Sequence, residues 1–192
     1  MSLLSVIAES NLTAPPATFK IGLNFRATAG YVTDGTNETY VVSDMYPVTR
    51  GGVTFGWNGA INTRDRASAQ GKLGGCHYVA NNTSGRRFRL DLPSAGNYRI
   101  RIASGDPGSN NYSGGTIKDN ATTLIAVSAG VAGSFGTNQF RDASDVTRTS
   151  AALWVANNVA VDVTFASTIL YWECPNYGAP CCISHIYVEK LP

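Results

Sequence analysis

The stretch RRFRLDLPSAGNYRIRIAS, residues 86–104, confines this chain more tightly than any other. Phe88, Leu90 and Leu92 alternate with Arg87, Arg89 and Asp91; after Pro93-Ser-Ala-Gly96 the alternation resumes, with Tyr98, Ile100 and Ile102 set against Arg99 and Arg101. A period of two puts the apolar side chains on one face and the charges on the other, which is the signature of a half-buried strand. Pro, Ser and Gly between the runs supply a reversing turn, so an antiparallel hairpin is expected. Such a ribbon holds together in water only when other elements cover its dry face.

Short β-rich runs at 19–25 (FKIGLNF), 39–44 (TYVVSD), 53–57 (VTFGW), 122–128 (TTLIAVS), 151–156 (AALWVA), 159–166 (VAVDVTFA) and 182–191 (CISHIYVEKL) extend the pattern. Turn residues separate them and no helical spacer intervenes. About nine strands of this kind predict an all-β protein, a two-sheet antiparallel β-sandwich of the jelly-roll type. A length of 192 residues suits one filled core. Residues 18–192 are expected to form it, with Trp57, Trp154 and Trp172 inside. Residues 1–17 read as an N-terminal arm set off by Pro15-Pro16, where Leu3, Leu4 and Ile7 could share one face of a helical turn and dock on another subunit.

Charge narrows the function. The formal net charge is +2, and the Arg residues are scattered along strands rather than gathered in a run, so nucleic acid is not the expected partner. No apolar run reaches the roughly 20 residues that cross a bilayer, and no membrane is expected. MSLLSVIAES lacks a basic lead and a small-residue cleavage site, so no secretory signal is read there. There are two His in the chain and no G-x-S-x-G, H-E-x-x-H or Walker-type loop, and the expectation is a non-enzyme with no cofactor and no metal.

Three groups of residues are candidates for a special role. Arg64-Asp65-Arg66 places three charges in a row after the aromatic strand ending at Trp57. Read as a clasp, Asp65 accepts forked hydrogen bonds from guanidinium groups and loop amides and fixes the crossover between sheets. Gripping vicinal sugar hydroxyls is the alternative, and a glycosidase pair would need a second carboxylate that the local spacing does not offer. Aromatic rings in loops, flanked by amides and carboxylates, can stack on the apolar face of a pyranose. Tyr46 in DMYPVTR, Asp106, Asn110 and Tyr112 in GDPGSNNYSGG, and Tyr177 in CPNYGAP fit that description. The four cysteines allow a Cys174–Cys181 bridge in an oxidising compartment, buried free thiols, or a zinc site from Cys76, His77, Cys182 and His185, although C-x-x-C spacing is missing. The sequons at Asn37, Asn81 and Asn111 read as polar surface.

The succession LNFRATAGYVTDG, VTFGW, TRDRASA, RRFRLDLPSAGNYRIRIASGD, a Gly/Asn-rich loop, TIKDNATTLIAVS and HIYVEKL resembles the galactose-binding-like jelly-roll modules of carbohydrate-active enzymes. It is similar to the N-terminal modules of rhamnogalacturonan-active esterases and lyases and to malectin-like domains, over roughly residues 19–190. The most specific piece is F-x-L-D-L-P-x-x-G-x-Y-x-I followed by Gly105-Asp106. The resemblance implies a non-catalytic module that binds a glycan weakly. The sandwich is expected to take up the chain from residue 18 to 192, with no catalytic domain expected beside it. The expectation is therefore a multicopy or homo-oligomeric decoration or tail protein on the surface of a bacteriophage virion, contacting other virion subunits through residues 1–16. The alternative is an extracellular, stand-alone or ancillary carbohydrate-binding module of a polysaccharide-degrading system.

Overall fold

A computed structural model of the chain describes residues 18–29, 37–65, 73–79, 85–106, 114–128, 139–157, 159–174 and 181–192. The expected arm, Arg66, Asn81, Asn110, Asn111, Tyr112 and Tyr177 lie outside these residues. In chain order the first strands are β1 (Lys20–Phe25), β2 (Glu38–Val41), β3 (Val48–Arg50), β4 (Val53–Trp57), β5 (Asn62–Asp65), β6 (Gly75–Val79), β7 (Arg87–Asp91) and β8 (Gly96–Ala103). Then come β9 (Gly115–Asp119), β10 (Thr122–Val127), β11 (Phe140–Arg141), β12 (Thr147–Arg148), helix α1 (Ala151–Asn157), β13 (Val161–Phe165), β14 (Ile169–Glu173), β15 (Cys181–Ile183) and β16 (His185–Lys190).

The protein is an all-β sandwich. A five-stranded sheet in the order β13-β8-β16-β1-β2 faces a six-stranded sheet in the order β10-β9-β14-β7-β4-β3, and smaller sheets β15-β6-β5 and β11-β12 flank them. Pairing is antiparallel except at the edge pair β1–β2, which runs parallel, and at an isolated Met45–Trp57 bridge. Glu38 ties that edge down, accepting from Asn24 Nδ2 at 2.9 Å and lying 3.2 Å from His185 Nε2.

The expected hairpin is instead an arch. β7 pairs with β4 and β14, whereas β8 pairs with β13 and β16, so the turn at Pro93–Gly96 carries the chain from one sheet to the other. Alternation shows only that both strands turn their apolar residues to one core, and an arch satisfies it as well as a hairpin. Phe88, Leu90 and Leu92 on one sheet and Tyr98, Ile100 and Ile102 on the other belong to the same buried cluster. The Tyr98 hydroxyl donates to Ser94 O at 2.6 Å and pins the arch.

AALWVA, expected as a strand, is helix α1. Ser150 Oγ caps it by accepting from Leu153 N at 3.1 Å. Trp154 turns inward, its Nε1 donating to Ile102 O at 2.6 Å, while Leu153 and Val155 stay exposed. Burying one residue per turn is a helical pattern, and the apolar composition of the run hides it. CISHIYVEKL also departs from expectation. It breaks at Ser184, whose N–H donates to Ala103 O at 2.9 Å and whose carbonyl accepts from Phe25 N at 3.0 Å, so β15 and β16 join different sheets.

At the heart of the core, Phe25, Phe55, Trp57, Phe88 and His77 pack edge to face or tilted, with Phe25 and Phe88 rings 5.0 Å apart. Trp57 Nε1 donates to His77 Nδ1 at 2.9 Å, leaving His77 Nε2 to donate to Arg26 O at 2.8 Å. A neutral imidazole satisfies both bonds. Burial drives its pKa down to about 4, against raising effects from the Arg26 carbonyl and from Asp44 and Asp65.

Candidate functional site

A cleft of about 340 Å³ opens on the outer face of the six-stranded sheet, walled by Met45, Tyr46, Asn58, Arg87, Arg89 and Tyr171. Cross-strand register builds it. Gly56 on β4 lies opposite Arg89 on β7, which lies opposite Tyr171 on β14, which lies opposite Lys118 on β9. These side chains emerge on the face opposite the core residues Phe88 and Trp172.

Gly56 makes room for the rest. Its φ is +151°, and a Cβ there would meet Tyr46 N at 2.4 Å and Met45 C at 2.7 Å. Without that atom the segment before β3 lies directly along β4, with Tyr46 N donating to Trp57 O at 3.0 Å and Trp57 N to Asp44 O at 2.8 Å. Tyr46 thereby stands over the sheet. Its peptide bond to Pro47 is cis.

The polar groups are held in place around the rings. Tyr46 OH donates to Asp91 Oδ2 at 3.0 Å, Arg89 Nε donates to Asp91 Oδ1 at 2.7 Å, and the Arg89 guanidinium carbon lies 4.3 Å from the Tyr46 ring centroid. Burial and the adjoining Asp91 carboxylate both raise the Tyr46 phenol pKa, so the ring is neutral and a hydroxyl donor. Arg87 pairs with Glu173 and sits 5.6 Å from the Tyr171 centroid; Lys118 Nζ bonds Glu173 Oε1 at 2.7 Å. Burial would raise the Glu173 pKa, but Lys118 and Arg87 outweigh it and keep the carboxylate ionised. Asn58 braces the rim, accepting from Arg87 N and donating to Gly85 O, each at 2.9 Å. Arg87, Arg89 and Lys118 thus face Asp91 and Glu173, an excess of one positive charge beside two partly exposed aromatic rings.

Of the residues expected at a ligand site, Tyr46 lines this cleft. Asp106 does not: it is fully buried, accepting from Arg64 Nη1 at 2.8 Å. Arg87 and Arg89 read in sequence only as the wet face of a strand, and the strand-like run around Trp172 is read for its inward tryptophan, with Tyr171 not singled out. Its I-L-Y-W-E alternation, with Tyr171 and Glu173 outward, carried the signal.

Arg64 and Asp65 point to different partners. Arg64 reaches Asp106 and lies 4.1 Å from the Tyr78 ring centroid. Asp65 accepts from Ala27 N and Thr28 N, each at 3.0 Å, from the Thr28 hydroxyl, and faces Arg26 Nε at 3.2 Å. It fastens the chain leaving β1 to β5. Burial alone would raise its pKa, but the Thr28 hydroxyl, the Ala27 amide and Arg26 pull it below the usual carboxylate value. Asp65→Ala is expected to cost about 2–3 kcal/mol in urea unfolding at neutral pH, because the buried Arg26 guanidinium loses this carboxylate. Ligand affinity of the folded fraction should not change. A variant of undiminished stability would show that the carboxylate does not hold β1 to β5.

Cys174 and Cys181 form a disulfide with Cα atoms 5.5 Å apart, while Cys76 and Cys182 are buried thiols. Cys76 and His77 are consecutive on β6 and diverge, His77 toward Trp57, and His185 packs against Trp154. Among the described residues no three His, Cys, Asp or Glu gather as a metal site, and no helix is long and apolar enough to cross a membrane.

No family model matches the chain, and no curated protein matches it. Among solved structures, it is similar to a calcium-binding mutant of beta-glucuronidase 2 from Bacteroides uniformis (TM-score 0.48, 14% identity), covering 91% of this chain and 18% of that one. It is also similar to the ANX2 ectodomain (TM-score 0.44) and the ANXUR2 extracellular domain (TM-score 0.45), both from Arabidopsis thaliana. Each is 10% identical, with 91% of this chain and 42% of the other covered. The chain thus spans less than half the length of each of these proteins.

Proposed function

We propose that this domain is a non-catalytic carbohydrate-binding module whose ligand lies across Tyr46, Arg89 and Tyr171. The observation that carries the reading is the pairing of two partly exposed tyrosine rings with fixed guanidinium and carboxylate groups in one cleft. Rings offer a stacking surface to the C–H face of a pyranose, and an Arg–Asp pair offers donors and an acceptor to its hydroxyls. The positive excess favours a glycan bearing carboxylates over a neutral one. A solvent-open site of this size binds weakly, with Kd on the order of micromolar to millimolar, because ordering costs consume most of the contact energy.

The test is a glycan array probed with the protein displayed multivalently, followed by titration of the best acidic oligosaccharide. Tyr171→Ala and Arg89→Ala are each expected to weaken binding about tenfold or more, a loss of about 1.4 kcal/mol, without lowering stability comparably. Loss of binding in Tyr112→Ala or Tyr177→Ala, with Tyr171→Ala unaffected, would move the site to the loops. An array with no hit would remove the reading.

Where the domain works is a further part of the proposal. Display in many copies on a bacteriophage particle, as decoration or tail protein, would convert weak single contacts into avidity of about 10²–10⁴. A Cys174–Cys181 bridge supports a location outside a reducing cytosol, which fits a virion surface and equally an extracellular module. Mass spectrometry of purified particles distinguishes the two: the protein is recovered with the capsid or tail in the first case and only in the secreted fraction in the second.

A further inference from the structure

Consecutive residues Cys181 and Cys182 look out from opposite faces of β15. Cys181 is bonded to Cys174. Cys182 lies opposite Tyr78 on β6, and Cys76 is two residues before Tyr78, so Cys76 and Cys182 share a face on adjacent strands. Arg64 confirms that face. It pairs with Cys76 in the β5–β6 register and stacks on Tyr78. Both cysteines are fully buried, and the Cys76 thiol lies near enough to raise the Cys182 pKa. Two thiols on one face of adjacent strands, diagonal in register, would have to close to the ~2.05 Å of a disulfide bond.

We propose that Cys76 and Cys182 form a second disulfide during oxidative folding, so that β15 is fastened from one face to the end of β14 and from the other to β6. The oxidant is a small-molecule disulfide such as oxidised glutathione. One cysteine thiolate attacks it, releasing one glutathione thiolate and leaving a mixed disulfide. The second cysteine thiolate attacks the protein sulfur of that bond and releases the other glutathione. Both thiols lose their protons, the two electrons pass to glutathione, and two reduced glutathione molecules result. Closure belongs to the folding chain rather than to the finished fold. Once packed, Cys182 is held in its thiol form by burial and by the neighbouring Cys76 thiol, and it has no route to a solvent oxidant. The new bond would close a far longer loop than the seven-residue separation of the first and constrain the unfolded chain correspondingly more.

The experiment is refolding of fully reduced protein in a reduced/oxidised glutathione buffer, acid quench, alkylation, intact mass and peptide mapping. The expected product is lighter than reduced protein by four hydrogens, takes up no alkylating agent, and yields a peptide pair joined through Cys76 and Cys182. Its Tm should exceed that of the Cys76→Ala/Cys182→Ala protein, treated identically, by roughly 5–10 °C. A Cys174→Ala/Cys181→Ala protein should still close the bridge. A product lighter by only two hydrogens, with Cys76 and Cys182 both alkylated, overturns the proposal, as does a bridge from either of them to Cys174 or Cys181. The same map made on protein purified from a bacterial periplasm gives the answer without refolding.

Discussion

Phe88→Ala is expected to cost about 3–5 kcal/mol, the largest loss from any single side chain considered, because the ring is fully buried and the cavity cannot close. Phe88 touches both layers: its ring lies 5.0 Å from Phe25 on the five-stranded sheet, and 5.8 Å from Phe55 and 5.5 Å from Trp57 on its own. Those neighbours are held by registers of their own and have little freedom to fill the space. Phe88→Leu, which keeps most of the volume, should cost about half as much or less. Guanidinium unfolding of the three proteins measures this. Because Phe88 lies between Arg87 and Arg89, the alanine variant should also bind ligand less well, through displacement of the two cleft cations. A loss near zero would mean that the two sheets do not meet at this ring.

Acidification is expected to remove about 3 kcal/mol through one residue, His77. Its folded pKa of about 4 lies below the ordinary value of 6.5, so between those limits the unfolded chain binds a proton that the folded chain refuses. The contribution is complete above pH 6.5, declines as pH falls and is gone below pH 4, a span of about 3 kcal/mol at roughly 1.4 kcal/mol per pH unit. Asp65 acts lower still. Its folded pKa is depressed, so its contribution is present above 3.8 and is lost as pH falls through the lower folded value. Urea unfolding at intervals from pH 8 to 4 should show a steady fall in wild type, and His77→Gln should be less stable at pH 8 but nearly flat across the window. A wild-type curve flat between pH 6.5 and 4 would mean that the imidazole is not buried neutral between Trp57 and Arg26.

The layers of this fold are legible in the sequence because alternation is a local property. Phe88 to Leu92 and Tyr98 to Ile102 declare which atoms leave water, and the structure buries them. Which strand lies beside which is not local: the same alternation serves a hairpin and an arch, and the choice rests on pairings with β4, β14, β13 and β16 far away in the chain. Trp154 shows a second limit, since one inward tryptophan among small apolar residues suits a strand or a capped helical turn. The cleft was only partly readable. Tyr46 stood out as an aromatic residue in a loop, but Arg87, Arg89 and Tyr171 acquire their meaning from register across three strands, and Gly56 from a chain segment ten residues upstream that rests on its missing side chain.

The most direct test of the cleft is a titration of labelled protein with an oligosaccharide containing uronic acid, followed by two-dimensional NMR. The glycan reading predicts saturable shifts concentrated at Met45, Tyr46, Asn58, Arg87, Arg89 and Tyr171, with Kd in the micromolar to millimolar range, weakened about tenfold or more in Tyr171→Ala while the rest of the spectrum stays native. Shifts centred away from these six residues, or none at millimolar sugar, would contradict it.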